Sequence, residues 1–189
     1  STTGFSLGLN TTQTLHARFA GDPTNIQGTT ALANNTWYHI AVSGTLGTSV
    51  KMFLNGAQEG PTYTGAATVN TAYNFILSNL QTGAATWCTT GYISNARFVS
   101  GAALYTGTFT PSTTPLGVAG SGTTTLLTCQ SNRFVDNGSN AYALTLSSTA
   151  PSVQSFSPFA PTASYSTSVI GGSGYFDGSG DYLASSGSI

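Results

Sequence analysis

The sequence predicts an all-β sandwich of antiparallel sheets, and three observations carry that prediction. Apolar residues alternate with polar ones at the two-residue period of a pleated strand along most of the chain. Clusters of Gly, Asn, Ser, Thr and Pro interrupt these runs at short intervals, which is the punctuation of tight turns. No segment sustains the three-to-four-residue apolar period with caps that a helix needs, and the nearest approach is a turn or two around residues 101–105.

The first strand candidates are residues 4–9 and 14–19. In residues 37–42, Tyr38, Ile40 and Val42 share one face while Trp37, His39 and Ala41 share the other, so a strand covered on both sides is expected. Residues 50–54 run into Asn55 and Gly56, a pair that tolerates positive φ at both central positions of a type I′ turn, and residues 57–59 return as the partner strand. Further candidates are residues 74–78, 91–99, 124–129 and 141–146. Residues 110–115, with Pro111 and Pro115, read as an extended loop across a sheet end. The stretch from Phe156 to Ser164, with Pro158 and Pro161, reads as a linker leaving a finished domain. A sandwich over 1–155, a Pro/Ser/Gly-rich linker over 156–174 and a separate strand over 175–189 follow from these signals. A chain of 189 residues is long enough for one such sandwich with a substantial core.

Only 5% of residues are charged, so the surface is built from small hydroxyl and amide groups. These hydrate strands without repelling neighbours, which suits packing against other copies or neighbouring repeats in an assembled or extracellular setting. The four basic residues, Arg18, Lys51, Arg97 and Arg133, are scattered rather than gathered on one stripe, which argues against a nucleic-acid partner. No apolar run approaches the roughly 18 residues that span a bilayer, and no basic-then-apolar leader opens the chain. Cys88 and Cys129 are too few for a disulfide framework and lack metal-site spacing; free buried thiols are the first reading and a single bridge the second.

Three blocks together carry a family resemblance: Asn35-Thr36-Trp37-Tyr38-His39-Ile40-Ala41-Val42, Met52-Phe53-Leu54-Asn55-Gly56, and Gly91-Tyr92-Ile93-Ser94-Asn95-Ala96-Arg97-Phe98. Their order and content resemble the laminin-G-like, pentraxin-like branch of the concanavalin A-like superfamily. That resemblance implies a jelly-roll of two antiparallel sheets and a binding rather than catalytic role. Residues 103–111, 126–132 and 153–159 are similar to laminin-G-like domains of virion structural or tail-fibre proteins of marine tailed phages. The segment Gly174-Tyr175-Phe176-Asp177-Gly178-Ser179-Gly180-Asp181-Tyr182-Leu183 resembles the first strand of such a domain, yet here it stands last. Two arrangements answer that shift. Either Tyr175, Phe176, Tyr182 and Leu183 complete a neighbouring copy by strand exchange, or the strand folds back and closes its own sandwich.

Glycoside hydrolysis needs two carboxylates within several ångströms of each other. The five acids, Asp22, Glu59, Asp136, Asp177 and Asp181, all stand in turn-like Gly, Asn or Pro contexts, and no strand presents a closely spaced pair; the chain is read as no enzyme. Asp177 and Asp181 flank a glycine loop, and Asp22 with Asn25 follows a turn, so these are the calcium candidates; a plain tight turn is the alternative for each. No other cofactor is implied. His39 is expected as a hydrogen-bonded structural imidazole, His16 on an exposed face beside Arg18, and Arg97 as the anchor of a structural network, with sugar contact beside aromatics as its alternative. Sugar rings offer apolar faces and hydroxyls together, so aromatics beside amide groups are the glycan candidates. Tyr63, Tyr73, Trp87 and Tyr105 meet that description, with rings covering core edges as the alternative. The leading reading is a structural and adhesive module of a virion or tail fibre that recognises host-surface glycan. A subunit of an extracellular self-assembling filament, or a cell-surface adhesin, is the second.

Overall fold

The computed structural model describes residues 4–19, 22, 24–67, 74–78, 89–147, 151–154, 156–159 and 173–188. Every regular element among them is a strand. The chain divides into two compact units, the first from residues 1–70 and 102–111, the second from residues 71–101 and 112–189.

The first unit contains β1 (Phe5–Leu9), β2 (Thr14–Phe19), β3 (Asn25–Ala31), β4 (Ile40–Thr45), β5 (Ser49–Leu54) and β6 (Ala57–Gln58). They form two antiparallel sheets of three, in the orders β1-β2-β3 and β4-β5-β6. The alternation in β2 sends Leu15, Ala17 and Phe19 inward, where they meet Ile26 of β3 and Val50, Met52 and Leu54 of β5. This dry interface between two sheets is the first core, with Tyr38 and Val42 packed against it. The other face of the β4–β5 pair is covered too. Residues 102–111 cross it: Tyr105 N–H donates to Ser43 Oγ (3.0 Å) and Phe109 N–H to the Gly56 carbonyl (3.0 Å). Lys51 Nζ donates to the Thr106 carbonyl (2.8 Å). The double-sided cover expected for residues 37–42 is met only in part: the strand begins at Ile40, which is 38% exposed, and none of these six residues is buried.

Asn55 and Gly56 have φ of 50° and 84°, the left-handed pair that a type I′ turn requires. A polar strand, β3, escaped the sequence reading because Ile26 is its one large apolar side chain. Its outer edge is closed by Glu59, whose carboxylate accepts Thr29 N–H (2.5 Å), Thr30 N–H (2.8 Å) and Thr30 Oγ1–H (3.1 Å).

The second unit contains β7 (Asn74–Leu77), β8 (Thr90–Ile93), β9 (Ala96–Ser100), β10 (Thr123–Thr128), β11 (Leu144–Leu146), β12 (Ser152–Gln154), β13 (Ser173–Asp177) and β14 (Leu183–Ser188). Its sheets are β11-β14-β7 and β12-β13-β8, with β10 paired to β9. The single strand expected over 91–99 is broken at Ser94 and Asn95. Asn95 adopts φ 58°, donates its N–H to the Cys129 carbonyl (3.0 Å) and accepts Leu116 N–H at Oδ1 (2.7 Å), bonds that replace the ladder at that point. The turn or two of helix considered around 101–105 is absent, since that segment is held by side chains of the β4–β5 sheet instead.

Phe176 is fully buried and Leu183 nearly so, and with Cys129 they make the second core, flanked by Leu77, Ile93, Phe134 and Leu144. β13 pairs with β8 and β14 with β7, while Tyr182 N–H donates to Ser147 Oγ (3.1 Å), so the segment read as an exchange strand is paired within its own chain. Cys129 is a buried free thiol, pushed up to about 12 by burial; Cys88 lies outside the described residues.

Candidate functional site

In the sheet β12-β13-β8, alternation decides which side chains reach solvent. Phe176 and Ile93 point to the second core, so their neighbours Tyr175 and Tyr92 stand on the opposite face. The register places Tyr175 directly across from Tyr92, and their ring centroids are 5.1 Å apart, tilted by 49°. Phe156, two residues beyond β12, continues the row: its centroid lies 5.0 Å from that of Tyr92 at 67°. Its backbone is fixed by Ser173, whose hydroxyl donates to the Phe156 carbonyl. Tyr92 and Phe156 are each 42% exposed, and they belong to the few large apolar side chains left open to water.

Polar groups border this row. Ser152 pairs with Tyr175 across the ladder, and Gln154 Nε2 donates to Ser152 Oγ (2.9 Å). Thr90 and Asp177 pair beyond the tyrosines, and both are exposed. Asp177 Oδ1 accepts Ser179 N–H (2.7 Å). The result is a three-ring surface with hydroxyl, amide and carboxylate groups at its margins. Such a surface can stack on the apolar face of a pyranose while its border groups bond to ring hydroxyls.

The glycan candidates named from sequence do not gather here. Tyr63 is 4% exposed, stacked on Phe19 with centroids 4.4 Å apart, and its hydroxyl donates to Asp22 Oδ2 (2.5 Å). It is a core ring with no face for a ligand. Tyr105 is half-buried, with one face against Phe109 at 3.7 Å and 8°, above Phe53 and His39; it braces the strap across the β4–β5 sheet. Tyr73 and Trp87 lie outside the described residues. Sequence reasoning missed Tyr92 as a binding residue because its block was read for its strand, and Phe156 because it opens a segment read as a linker. The signal that finds them is cross-strand register, which a sequence does not print.

The acids are engaged in structure. Asp22 accepts Tyr63 O–H and also Thr24 N–H (2.7 Å), and the Tyr63 hydroxyl foremost holds its carboxyl below the ordinary value. Asp136 accepts Leu127 N–H (2.9 Å), Gly138 N–H (2.7 Å) and Tyr142 N–H (2.9 Å), closing the turn after β10. Asp181, buried, accepts Asp177 N–H (2.9 Å) at Oδ2, which closes the glycine loop. Among the described residues no three His, Cys, Asp or Glu side chains come together in a group that could hold a metal ion. Arg97 donates to the Gly117 carbonyl (3.0 Å), the structural role expected for it. His16 is half-buried, and burial first, then Arg18, lowers its proton affinity.

Antiparallel sheets packed face to face over a shared apolar core, as in the first unit, define a β-sandwich. Residues 1–104 match a laminin-G-type family of the concanavalin A-like lectin/glucanases superfamily, and the chain belongs to that superfamily. No curated protein and no solved structure matches the chain.

Proposed function

We propose that this chain is a non-enzymatic adhesive module that binds an uncharged glycan through Tyr92, Tyr175 and Phe156. One observation carries the reading: three aromatic rings in a row, Tyr92 touching both Tyr175 and Phe156 and two of the three 42% exposed, stand on a sheet face opposite a filled core. Rings that only covered a core edge would be turned inward, as Tyr63 is. Of the side chains on that face of the ladder, Asp177 alone is charged, which favours a neutral sugar over an acidic one. The carboxylate inventory supports a non-catalytic role, since Asp22, Glu59, Asp136 and Asp181 all accept backbone N–H groups that hold turns or strands.

The biological setting is read as a virion or tail fibre, with host-surface glycan as the target. The segments 103–111, 126–132 and 153–159 support it by their likeness to phage laminin-G-like domains. The test is a multivalent glycan array probed with the intact chain and with Tyr92→Ala. Binding to neutral pyranosides that the variant loses is the expected result; a blank array, or binding untouched by the substitution, sinks the reading.

A further inference from the structure

We infer that β1 is an assembly edge, and that its occupant is β1 of a second copy of this chain, paired antiparallel about a twofold axis. The argument begins with backbone direction. Asn10 N–H donates to the Thr14 carbonyl, so Asn10 and Thr14 are a hydrogen-bonded pair of the β1–β2 hairpin. The register continues through Leu9↔Leu15, Gly8↔His16, Leu7↔Ala17, Ser6↔Arg18 and Phe5↔Phe19. In an antiparallel ladder, hydrogen-bonded and non-hydrogen-bonded pairs alternate. Gly8 and Ser6 therefore bond to β2, while the N–H and C=O groups of Phe5, Leu7 and Leu9 point away from it. Among the described residues no strand lies on that side, because β1 ends its sheet.

Side chains supply the second observation. Phe5, Leu7 and Leu9 stand opposite Phe19, Ala17 and Leu15, so all three are on the core face. Phe5 packs against the core, yet Leu7 is 41% and Leu9 49% exposed. Core-facing leucines open to water at a sheet edge mark a sandwich that continues past its last strand.

An edge meant to stay solitary is guarded by Lys, Pro, a bulge or a cover. The opposite edge of this sheet has such a cover in Glu59, which takes two β3 amides. β1 reads Phe-Ser-Leu-Gly-Leu, pairs with β2 without a bulge and, among the described residues, carries no guard. The same five residues are complementary to themselves. Antiparallel pairing centred on Leu7 sets Leu7 against Leu7 of the second copy, and Phe5 against its Leu9, and it joins only residues whose amides already face outward. All six side chains then share the core face, in an isologous contact that closes. Charge does not oppose it, because the chain carries a net charge of −1. The sandwich on each side gains the apolar cover it lacks.

The test combines sedimentation with residue-resolved amide exchange on the intact chain. The expected result is a dimer that forms with rising concentration, in which the Leu7 and Leu9 amides become as slow as those of Ser6 and Gly8. A double substitution, Leu7→Lys with Leu9→Lys, places like charges across the axis and raises the dissociation constant at least roughly tenfold, with Gly8 exchange unchanged. Should the double variant fail to fold, the exchange pattern of the unaltered chain decides alone. A chain monomeric at every concentration, a dimer with fast Leu7 exchange, or a monomer with slow Leu7 exchange overturns the inference. None of these outcomes bears on glycan binding, which sits on the second unit.

Discussion

Tyr175 stands directly opposite Tyr92 in the β13–β8 ladder, and the two rings lie 5.1 Å apart on the face away from Phe176. That relationship joins a residue near the end of the chain to one near its middle.

Removing one ring of the row is expected to weaken glycan binding without unfolding the chain. A ring contact is worth about 1 kcal/mol beyond area burial, so Tyr92→Ala, Tyr175→Ala and Phe156→Ala should each raise the dissociation constant roughly five- to tenfold or more. Titration calorimetry against the best array ligand measures it. Tyr92→Phe keeps the ring and should lose far less. Equal losses in the Phe and Ala variants would mean that the hydroxyl, not the ring, makes the contact.

Glu59 makes stability depend on acid pH. Burial works against its charge, but the Thr30 and Thr29 amides outweigh that and leave its proton affinity below the ordinary 4.5. A carboxylate depressed in the folded state stabilises fully above its unfolded value, and that contribution is lost as pH falls through the folded one. The unfolding midpoint in urea should therefore decline as pH drops below about 4.5. Glu59→Gln should flatten that slope and cost about 1–2 kcal/mol at neutral pH, because charge-assisted bonds to the β3 edge become neutral ones. A variant with the same acid slope as the unaltered chain would assign the effect elsewhere.

Cys129 offers a probe of the second core. Its thiol sits beside Phe176 and Leu183, 1% exposed, and burial pushes it up to about 12. At pH 8 the thiolate fraction is then negligible and access is blocked. Alkylation followed at the Cys129 peptide by mass spectrometry should be at least roughly a hundredfold slower in the native chain than in urea. Fast native labelling would show that this core opens readily.

Much of the fold is legible in the residues because strands and turns are local. β2 and β5 follow from alternation, β10 from a run of Thr and Leu between turn residues, and the β5–β6 hairpin from Asn55 and Gly56, whose conformations only a few residue types accept. β3 was not legible, since its stability lies in pairing and in the distant Glu59 carboxylate rather than in its own apolar residues. The break between β8 and β9 is a tertiary effect, made by Asn95 reaching Leu116 and Cys129. For the surface row the reason is the same at longer range. Tyr63 and Tyr92 look alike in sequence, but Tyr63 meets Asp22 and Phe19 inside the first core while Tyr92 meets Tyr175 across a ladder spanning 83 residues of chain, from 92 to 175.

Gly56 tests how the strap of residues 102–111 is held. A Cβ at this position would lie 1.9 Å from the Phe109 carbonyl oxygen, on a backbone at φ 84°. Gly56→Ala therefore combines left-handed strain with a collision against main chain, where no rotamer can relieve it. Gly47→Ala is the matched control: its φ is 76°, but its new Cβ would meet only Ala66, at an ordinary 3.8 Å. The control should cost about 1 kcal/mol, from strain alone. Gly56→Ala should cost about 2–3 kcal/mol and lower the melting temperature by roughly 4–10 °C, because the strap must lift from Gly56 and draw the Phe109 ring away from Phe53 and His39. Near-ultraviolet circular dichroism should change in the Gly56 variant and not in the control. If both variants lose the same stability and keep the aromatic signal, the strap is not anchored at Gly56, and the cover on the outer face of β4–β5 must be held by Ser43 and Lys51 instead.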